Sequence, residues 1–354
     1  MKFVMAGGGT GGHIIPALAV AEELRERGHE PVFIGTRHGM EARLVPNAGL
    51  PIEWIDIGGL NRVGLLQRLK TLWQLPLSVL RAMRIISRQQ AGAVFSMGGY
   101  VAGPVVLAAL LRRVPVAVME PNAMPGLTNR KLARFTSKAL VNFEETAAFF
   151  PEGRAEVTGV PVRGAFFMIP PLNSHSRFTL LVTGGSQGSR TLNNASAEAW
   201  ELFAKAGAPI HVIHQAGRGN AEPLKGRFHD SGLSGEVVEF IHDMPGAFAQ
   251  ADLIVCRAGA STVSELAAAG RPSILVPFPY AADNHQHHNA QAMQRHGAAL
   301  LVRDQEMTGQ RLFDEVMRLM IDRPALEHMA FAAKSMAKPF AASRAADVLE
   351  ELVR

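Results

Sequence analysis

A chain of 354 residues, 47% of them hydrophobic, is long for one domain and carries enough apolar material for the cores of two. Its net charge of +5 and pI of about 9.6 point to an acidic partner, but the cations are spread along the chain, without the dense Lys/Arg stripe of a nucleic-acid protein. The single cysteine, Cys256, excludes an internal disulfide and reads as a small core residue in a reducing compartment, and no apolar run approaches the ~18 residues of a spanning helix.

The first apolar run, Lys2–Ala6, reads as a strand; it stops at glycine too soon for a secretory signal, so a cytoplasmic location is expected. It turns through Gly7-Gly8-Gly9-Thr10-Gly11-Gly12-His13 into a helix expected over Pro16–Arg27, where Pro16 suits the first turn. A strand that turns through glycines into a helix leaves free N–H groups and a positive dipole end, a ready phosphate site. Gly7, Gly9 and Gly12 also satisfy the dinucleotide pattern G-x-G-x-x-G. That reading needs an acid after the second strand. Pro31–Gly35 is followed instead by Thr36-Arg37-His38, where only Arg37 suits a 2′-phosphate, so the dehydrogenase reading is set aside.

Leu65–Leu77 alternates apolar groups with cations, and Arg62, Arg81, Arg84 and Arg88 flank it. It fits an ordinary core helix with a solvated face, or an interfacial helix on anionic headgroups. Further strands are expected at Ala93–Ser96, Pro115–Met119 and Ala139–Asn142. Short apolar strands alternating with helices imply a parallel sheet covered on both faces. The pattern breaks over Val160–Ser176, where Pro161, Pro170, Pro171, Asn173 and Ser174 mark an interdomain linker.

The second half repeats the theme. The strand Phe178–Thr183 leads into Gly184-Gly185-Ser186-Gln187-Gly188, and strands follow at Pro209–His214, Val237–Phe240, Leu253–Cys256, Ser273–Pro277 and Ala298–Val302. Helical segments close the chain near Glu306–Ile321, Ala325–Met336 and Ala342–Val353. After Cys256-Arg257-Ala258-Gly259-Ala260, a helix is expected to begin near Thr262. There the N–H groups and hydroxyls of Ser261, Thr262, Val263 and Ser264 would grip a pyrophosphate, and Glu265 would chelate ribose hydroxyls. Thr262-x-x-Glu265 is equally a capping box. The ligand reading gains from its neighbours: Ser186 and Phe240-Ile241 fall at other strand ends of the same sheet, where doubly wound folds bind ligands.

Asp283-Asn284-His285-Gln286-His287-His288-Asn289 invites a metal reading, but the spacing fits no standard zinc pattern. A polar helix start that hydrogen-bonds sugar hydroxyls suits Asn284, His285 and Gln286 better. There is no Asp-x-Asp, so helix dipoles rather than a clamped cation would neutralise a leaving diphosphate.

From end to end the chain resembles the MurG family, through Gly8–His13, Gly98-Gly99-Tyr100-Val101-Ala102-Gly103-Pro104, Gly184–Gly188, and Cys256-Arg257 through Glu265-Leu266-Ala267-Ala268-Ala269-Gly270. The resemblance implies an α/β GT-B fold: two Rossmann-like, doubly wound parallel-sheet domains facing a cleft. Residues 1–163 would form the acceptor and membrane-association domain, 164–338 the UDP-GlcNAc donor domain, and 339–354 a C-terminal helix packing back on the first. It implies inverting transfer of GlcNAc from UDP-GlcNAc to the 4-hydroxyl of MurNAc in undecaprenyl-pyrophosphoryl-MurNAc-pentapeptide, converting lipid I to lipid II in peptidoglycan synthesis, with no cofactor or metal.

By position, the donor set is Ser186, Ile241, Ala260, Ser261, Thr262, Val263, Ser264, Glu265, His285 and Gln286. Ile241 would offer backbone groups to uracil beside Phe240 and Met244, and Arg163 would lie near the diphosphate with Ser186. Thr10, Gly11, Gly12 and Asn122 would border the transferred sugar from the acceptor side. His13 is the first candidate for the base, with helix capping or loop packing as its other role, and Glu120 is the second. The family's His-Glu-Gln-Asn reads Met119-Glu120-Pro121-Asn122 here, and its Asn-Pro-Val-Arg reads Val160-Pro161-Val162-Arg163. The resemblance also implies a peripheral place on the cytoplasmic face of the bacterial inner membrane, with an anionic surface and a cell-wall synthesis complex as partners. The rival enzyme of the same architecture is a UDP-GlcNAc 2-epimerase, and the non-enzymatic rival is a nucleotide-sugar sensor.

Overall fold

The computed structural model describes residues 1–8, 11–58, 65–172 and 177–354. Gly9, Thr10, Arg62, Asn173 and Ser174 therefore lie outside the described residues, as do the side chains of 65–70 and 72. The chain divides into two units, Met1–Pro161 with Phe340–Arg354, and Val162–Pro339. Arg163 thus belongs to the second unit.

The first unit is built on seven strands: β1 Lys2–Ala6, β2 Glu30–Gly35, β3 Ile52–Trp54, β4 Ala93–Ser96, β5 Val116–Glu120, β6 Lys138–Val141 and β7 Ala155–Val157. Their order is β3-β2-β1-β4-β5-β6-β7, and every pairing is parallel. The inner strands are buried on both faces, as expected for near-continuous apolar runs clothed by crossover helices. The helix after β1 spans Gly11–Glu26 and contains Pro16, so it starts a full turn before the expected Pro16. Strands β3 and β7 were not foreseen; each is three residues long at a sheet edge, too short to leave a period.

The C-terminal helix Ala341–Glu351 belongs to this unit. Ala345, Ala346, Val348 and Leu349 are fully buried in one apolar cluster with Phe3, Val20 and Leu24. Arg27 adds a polar clasp, with Nη1 donating to Asp347 at 2.6 Å and Nη2 to the Ser343 hydroxyl at 2.7 Å.

The second unit has six strands: β8 Phe178–Thr183, β9 Ile210–Gln215, β10 Ser234–Val238, β11 Leu253–Cys256, β12 Ser273–Leu275 and β13 Ala299–Leu301. They run β10-β9-β8-β11-β12-β13, again all parallel. β10 sits three residues upstream of the expected Val237–Phe240. Gly235 explains the register: at φ +136° it lies so close to the Val212 carbonyl that a Cβ would approach within 1.9 Å. In each sheet the strand order reverses beside the first strand of the unit, β1 or β8. Such a reversal is the usual ligand position of doubly wound sheets.

Candidate active site

At the C-terminal edge of the first sheet, Gly11 and Gly12 open the helix Gly11–Glu26, and His13 is its third residue, half-buried at the positive dipole end. Gly99 packs beside it; a Cβ at Gly99 would stand 3.1 Å from the Gly8 carbonyl and 3.5 Å from His13 Nδ1. Gly98 and Gly99, at φ +78° and +81°, let the loop after β4 approach this closely.

Glu120 ends β5 and is buried. Its Oε1 accepts from the backbone N–H and the side-chain amide of Asn122, both at 3.1 Å. Its Oε2 accepts from Gly126 N–H at 2.9 Å and Asn129 Nδ2 at 3.0 Å. Burial nonetheless holds the carboxyl above the usual carboxylate range. Four donors fill its oxygens, and through them Glu120 shapes the loop that carries Asn122. The departures at Met119 and Val160 have a shared setting, for both side chains are buried in a single apolar cluster.

A buried carboxylate that sequence reading missed, Glu41, accepts from Thr36 N–H at 3.0 Å and its hydroxyl at 2.8 Å. The Thr36 hydroxyl in turn meets the Tyr100 hydroxyl at 3.1 Å. A Cβ on Gly8, Gly35 or Gly39 would collide with Glu41, so those glycines leave room for it. Its only trace in the sequence is that trio of glycines.

The second sheet presents a larger array. The helix Ala260–Ala269 starts at Ala260, with Gly259 at its N-cap and no side-chain cap. That corrects the expected start near Thr262 and removes the capping-box reading, since Thr262 and Glu265 both lie inside the helix. The first backbone bond of the helix is Val263 N–H to the Gly259 carbonyl at 3.0 Å, so the N–H groups of Ala260, Ser261 and Thr262 point outward without a helical partner. Val263 and Ser264 are buried behind them. One turn in, burial pushes the Glu265 carboxyl up to about 7, against the opposing pull of Arg163 at 3.5 Å. The Arg163 guanidinium also lies over the Phe166 ring, 4.9 Å from its centroid.

The turn after β8 leaves Ser186 exposed, and its helix Arg190–Lys205 is capped by Ser189. Arg257, next to the end of β11, donates to the Ser189 hydroxyl at 2.7 Å, pairs with Asp304, and reaches the Val276 and Pro277 carbonyls. Sequence reading quoted Arg257 in its motif but gave it no role. The Ile241 N–H donates to the carboxamide of Gln215 at 2.9 Å, another residue that was missed. After β12, His285 Nδ1 meets the Ala282 carbonyl at 2.8 Å and Gln286 accepts from Phe278 N–H at 2.9 Å. Asp283 and Asn284 hold positive φ there, and Asn289 ties this helix back to the Ala258 carbonyl. Among the described residues no three His, Cys, Asp or Glu side chains converge as a metal site. Cys256 is buried, its thiol pushed up to about 12, the state of an inert core residue.

The sequence matches the glycosyltransferase family 28 N-terminal domain over residues 3–141 and the C-terminal domain of that family over 179–350. It is 61% identical to the UDP-N-acetylglucosamine--N-acetylmuramyl-(pentapeptide) pyrophosphoryl-undecaprenol N-acetylglucosamine transferase of Solibacter usitatus, over 100% of this chain and 96% of that protein. The enzyme of the same name from Myxococcus xanthus is 43% identical, over 100% and 93%. The crystal structure of Acinetobacter baumannii MurG superposes with a TM-score of 0.86 at 33% identity, covering 99% of each chain. A UDP-GlcNAc 2-epimerase from Neisseria meningitidis, bound to UDP-GlcNAc, reaches a TM-score of 0.68 at 14% identity over 99% and 100%, a likeness of fold alone.

Proposed function

This chain belongs to the MurG family, within glycosyltransferase family 28, and on that premise we propose how its residues perform the family's reaction. It is a GT-B, UDP-GlcNAc-dependent N-acetylglucosaminyltransferase that converts lipid I to lipid II in peptidoglycan synthesis. The observation that carries this is identity of 61% over the whole chain, not over a shared domain. The epimerases share only the fold.

In this reading the second unit holds the donor. The outward N–H groups of Ala260, Ser261 and Thr262 meet the diphosphate, with the Ser186 turn and Arg163 beside it. Glu265 accepts from the ribose hydroxyls, Ile241 borders uracil, and His285 with Gln286 holds the sugar. The first unit carries the acceptor, with Gly11, Gly12 and Asn122 bordering the sugar; Thr10, expected with them, lies outside the described residues. The 4-hydroxyl oxygen of MurNAc attacks C1 of GlcNAc from the face opposite UDP. The C1–O bond to the β-phosphate breaks, UDP leaves, and the product is β-1,4-linked. His13 takes the hydroxyl proton as the new bond forms. What supports His13 over Glu120 is the hydrogen-bond ledger: the Glu120 oxygens are filled by four donors. The helix dipole at Gly259–Thr262 stabilises the departing diphosphate.

No described helix is long and apolar enough to cross a membrane. Trp73, Leu77 and Leu80 nevertheless stand exposed on one stripe of the helix Leu65–Gln89. We read this stripe as a peripheral attachment to the anionic cytoplasmic face of the inner membrane, where the lipid acceptor resides and a cell-wall synthesis complex would assemble.

The test is a transfer assay with labelled UDP-GlcNAc and a short-chain lipid I analogue. Disaccharide product is expected only with both substrates. Free epimer from donor alone would mean an epimerase, and binding without turnover a sensor. His13→Ala should lower kcat by about 100-fold or more with the donor Kd unchanged. Near-normal turnover would remove His13 from the proton transfer.

A further inference from the structure

Gln215 ends β9, the strand between β8 and β10, and is almost wholly buried. Its carboxamide reaches the loops that follow both neighbours. Nε2 donates to the Gly185 carbonyl at 2.9 Å and to the Thr183 hydroxyl at 3.2 Å, while Oε1 accepts from Ile241 N–H at 2.9 Å. The orientation of the amide follows from its partners, because an N–H only donates and a carbonyl only accepts. The same Thr183 hydroxyl accepts from Gly185 N–H at 3.1 Å. Backbone contacts reinforce the joint. A Cβ on Gly188 would fall 2.0 Å from the Ala216 carbonyl, and one on Gly217 would fall 2.2 Å from Gly188 N, so the turn lies directly on the end of β9. On the other side, Ala216 N–H and Gly217 N–H donate to the Val238 and Glu239 carbonyls.

We propose that Gln215 is a positioning residue for the donor: its carboxamide is a strut that sets the spacing between the Gly184–Gly188 turn and the Ile241 loop. The proposal rests on the donor reading above, in which the turn adjoins the diphosphate and the loop adjoins the base. A uridine diphosphate spans both, so its affinity depends on their separation, whereas uridine or pyrophosphate alone touches one. The strut also has a chemical consequence. It consumes the Ile241 N–H, so the group this residue offers a base is its carbonyl. A carbonyl accepts from the N3–H of uracil and repels the bare N3 of cytosine.

The experiment uses the full chain with Gln215→Glu, Gln215→Met and Thr183→Val, measuring KM for each substrate and inhibition by UDP, CDP, uridine and pyrophosphate. Gln215→Glu keeps the acceptor facing Ile241 but sets a carboxylate oxygen against the Gly185 carbonyl. Its donor KM should rise about tenfold, as for loss of one well-placed hydrogen bond, with the acceptor KM within about twofold. UDP should weaken more than uridine and pyrophosphate together, and preference for UDP over CDP should narrow in Gln215→Met. Thr183→Val should move the donor KM in the same direction by about threefold. A purely structural role would lower thermal stability and the active fraction while leaving KM and these ratios in place, and that result overturns the proposal. So does a rise shared equally by both substrates. If neither Gln215 variant folds, Thr183→Val decides by the same criteria. Glu265→Gln is the control for the underlying reading. If it too leaves the donor KM unchanged, the donor assignment falls. If it raises the donor KM and the Gln215 and Thr183 variants do not, only the strut falls.

Discussion

Glu265 carries the clearest consequence of burial for chemistry. Its carboxyl is pushed up to about 7 by desolvation, so it exchanges its proton in the neutral range. A ribose diol is chelated best by the ionised, acceptor-only form. The donor KM should therefore fall as pH rises through about 7, and Glu265→Gln should flatten that dependence while raising KM ~10- to 100-fold at pH 8. The stability sign is opposite. The folded-state value lies above the unfolded one, so the favourable contribution is present at low pH and is lost as pH climbs through 7. Denaturation of wild type against Glu265→Gln should show the variant gaining relative stability between pH 5 and 8. A pH-independent difference in both measurements would sink this account. The place of Glu265 inside a helix was legible from the small-residue turn Ala258-Gly259-Ala260 that precedes it. Gln215 and Arg257 were not legible, because their partners are carbonyls, amides and an aspartate distant in sequence. The one available signal was polarity out of place, a glutamine and an arginine at the ends of otherwise buried apolar strands.

The elements that shape the site are set by glycine where no side chain fits. Gly188 combines φ +76° with a clash against the Ala216 carbonyl, so two independent penalties fall on any substitution there. Gly188→Ala should lose more than about 2 kcal/mol of stability in urea denaturation. The same change at Gly207, where φ is +60° but nothing stands within 4 Å, should cost only about 1 kcal/mol. Equal losses at both sites would mean that backbone conformation, not packing, governs the turn. The strands with long apolar runs, β1, β4, β8 and β11, were readable to the residue, because strands buried on both faces are apolar throughout. The helix starts at Gly11 and Ala260 were read too late. Glycine and alanine carry no periodic signal, so the first turn of each helix is invisible to a pattern of apolar spacing. Those silent turns are the ones whose N–H groups the helix leaves without partners, and which the reading proposed above assigns to ligands.

For the molecule as a whole, the question is how an enzyme without a described spanning helix works on a substrate anchored in lipid. Within the first unit, the helix Leu65–Gln89 buries Val79, Ala82, Ile85 and Ile86 on one side and leaves Trp73, Leu77 and Leu80 at 83%, 70% and 51% exposure on the other. Positions 73, 77, 80 and 84 repeat at helical spacing, so Arg84 continues the stripe. The helix Gly99–Leu111 packs against this one within the same unit. Large apolar side chains grouped this way are costly in water and favourable in an interface. The cations flanking the stripe are partly spent: Arg81 pairs with Asp56 at 2.8 Å, and Arg88 pairs with Glu53. Attachment should therefore lean on apolar insertion more than on charge. In flotation with vesicles containing anionic lipid, raising the salt to 0.5 M should reduce binding only modestly, by about threefold. Trp73→Glu with Leu77→Glu should reduce it by about 10- to 100-fold, while turnover of a water-soluble short-chain acceptor stays at the wild-type rate. Binding that survives the double substitution but vanishes in salt would move the docking surface elsewhere. Lost turnover on the soluble acceptor would mean that these side chains serve the acceptor site and not the bilayer.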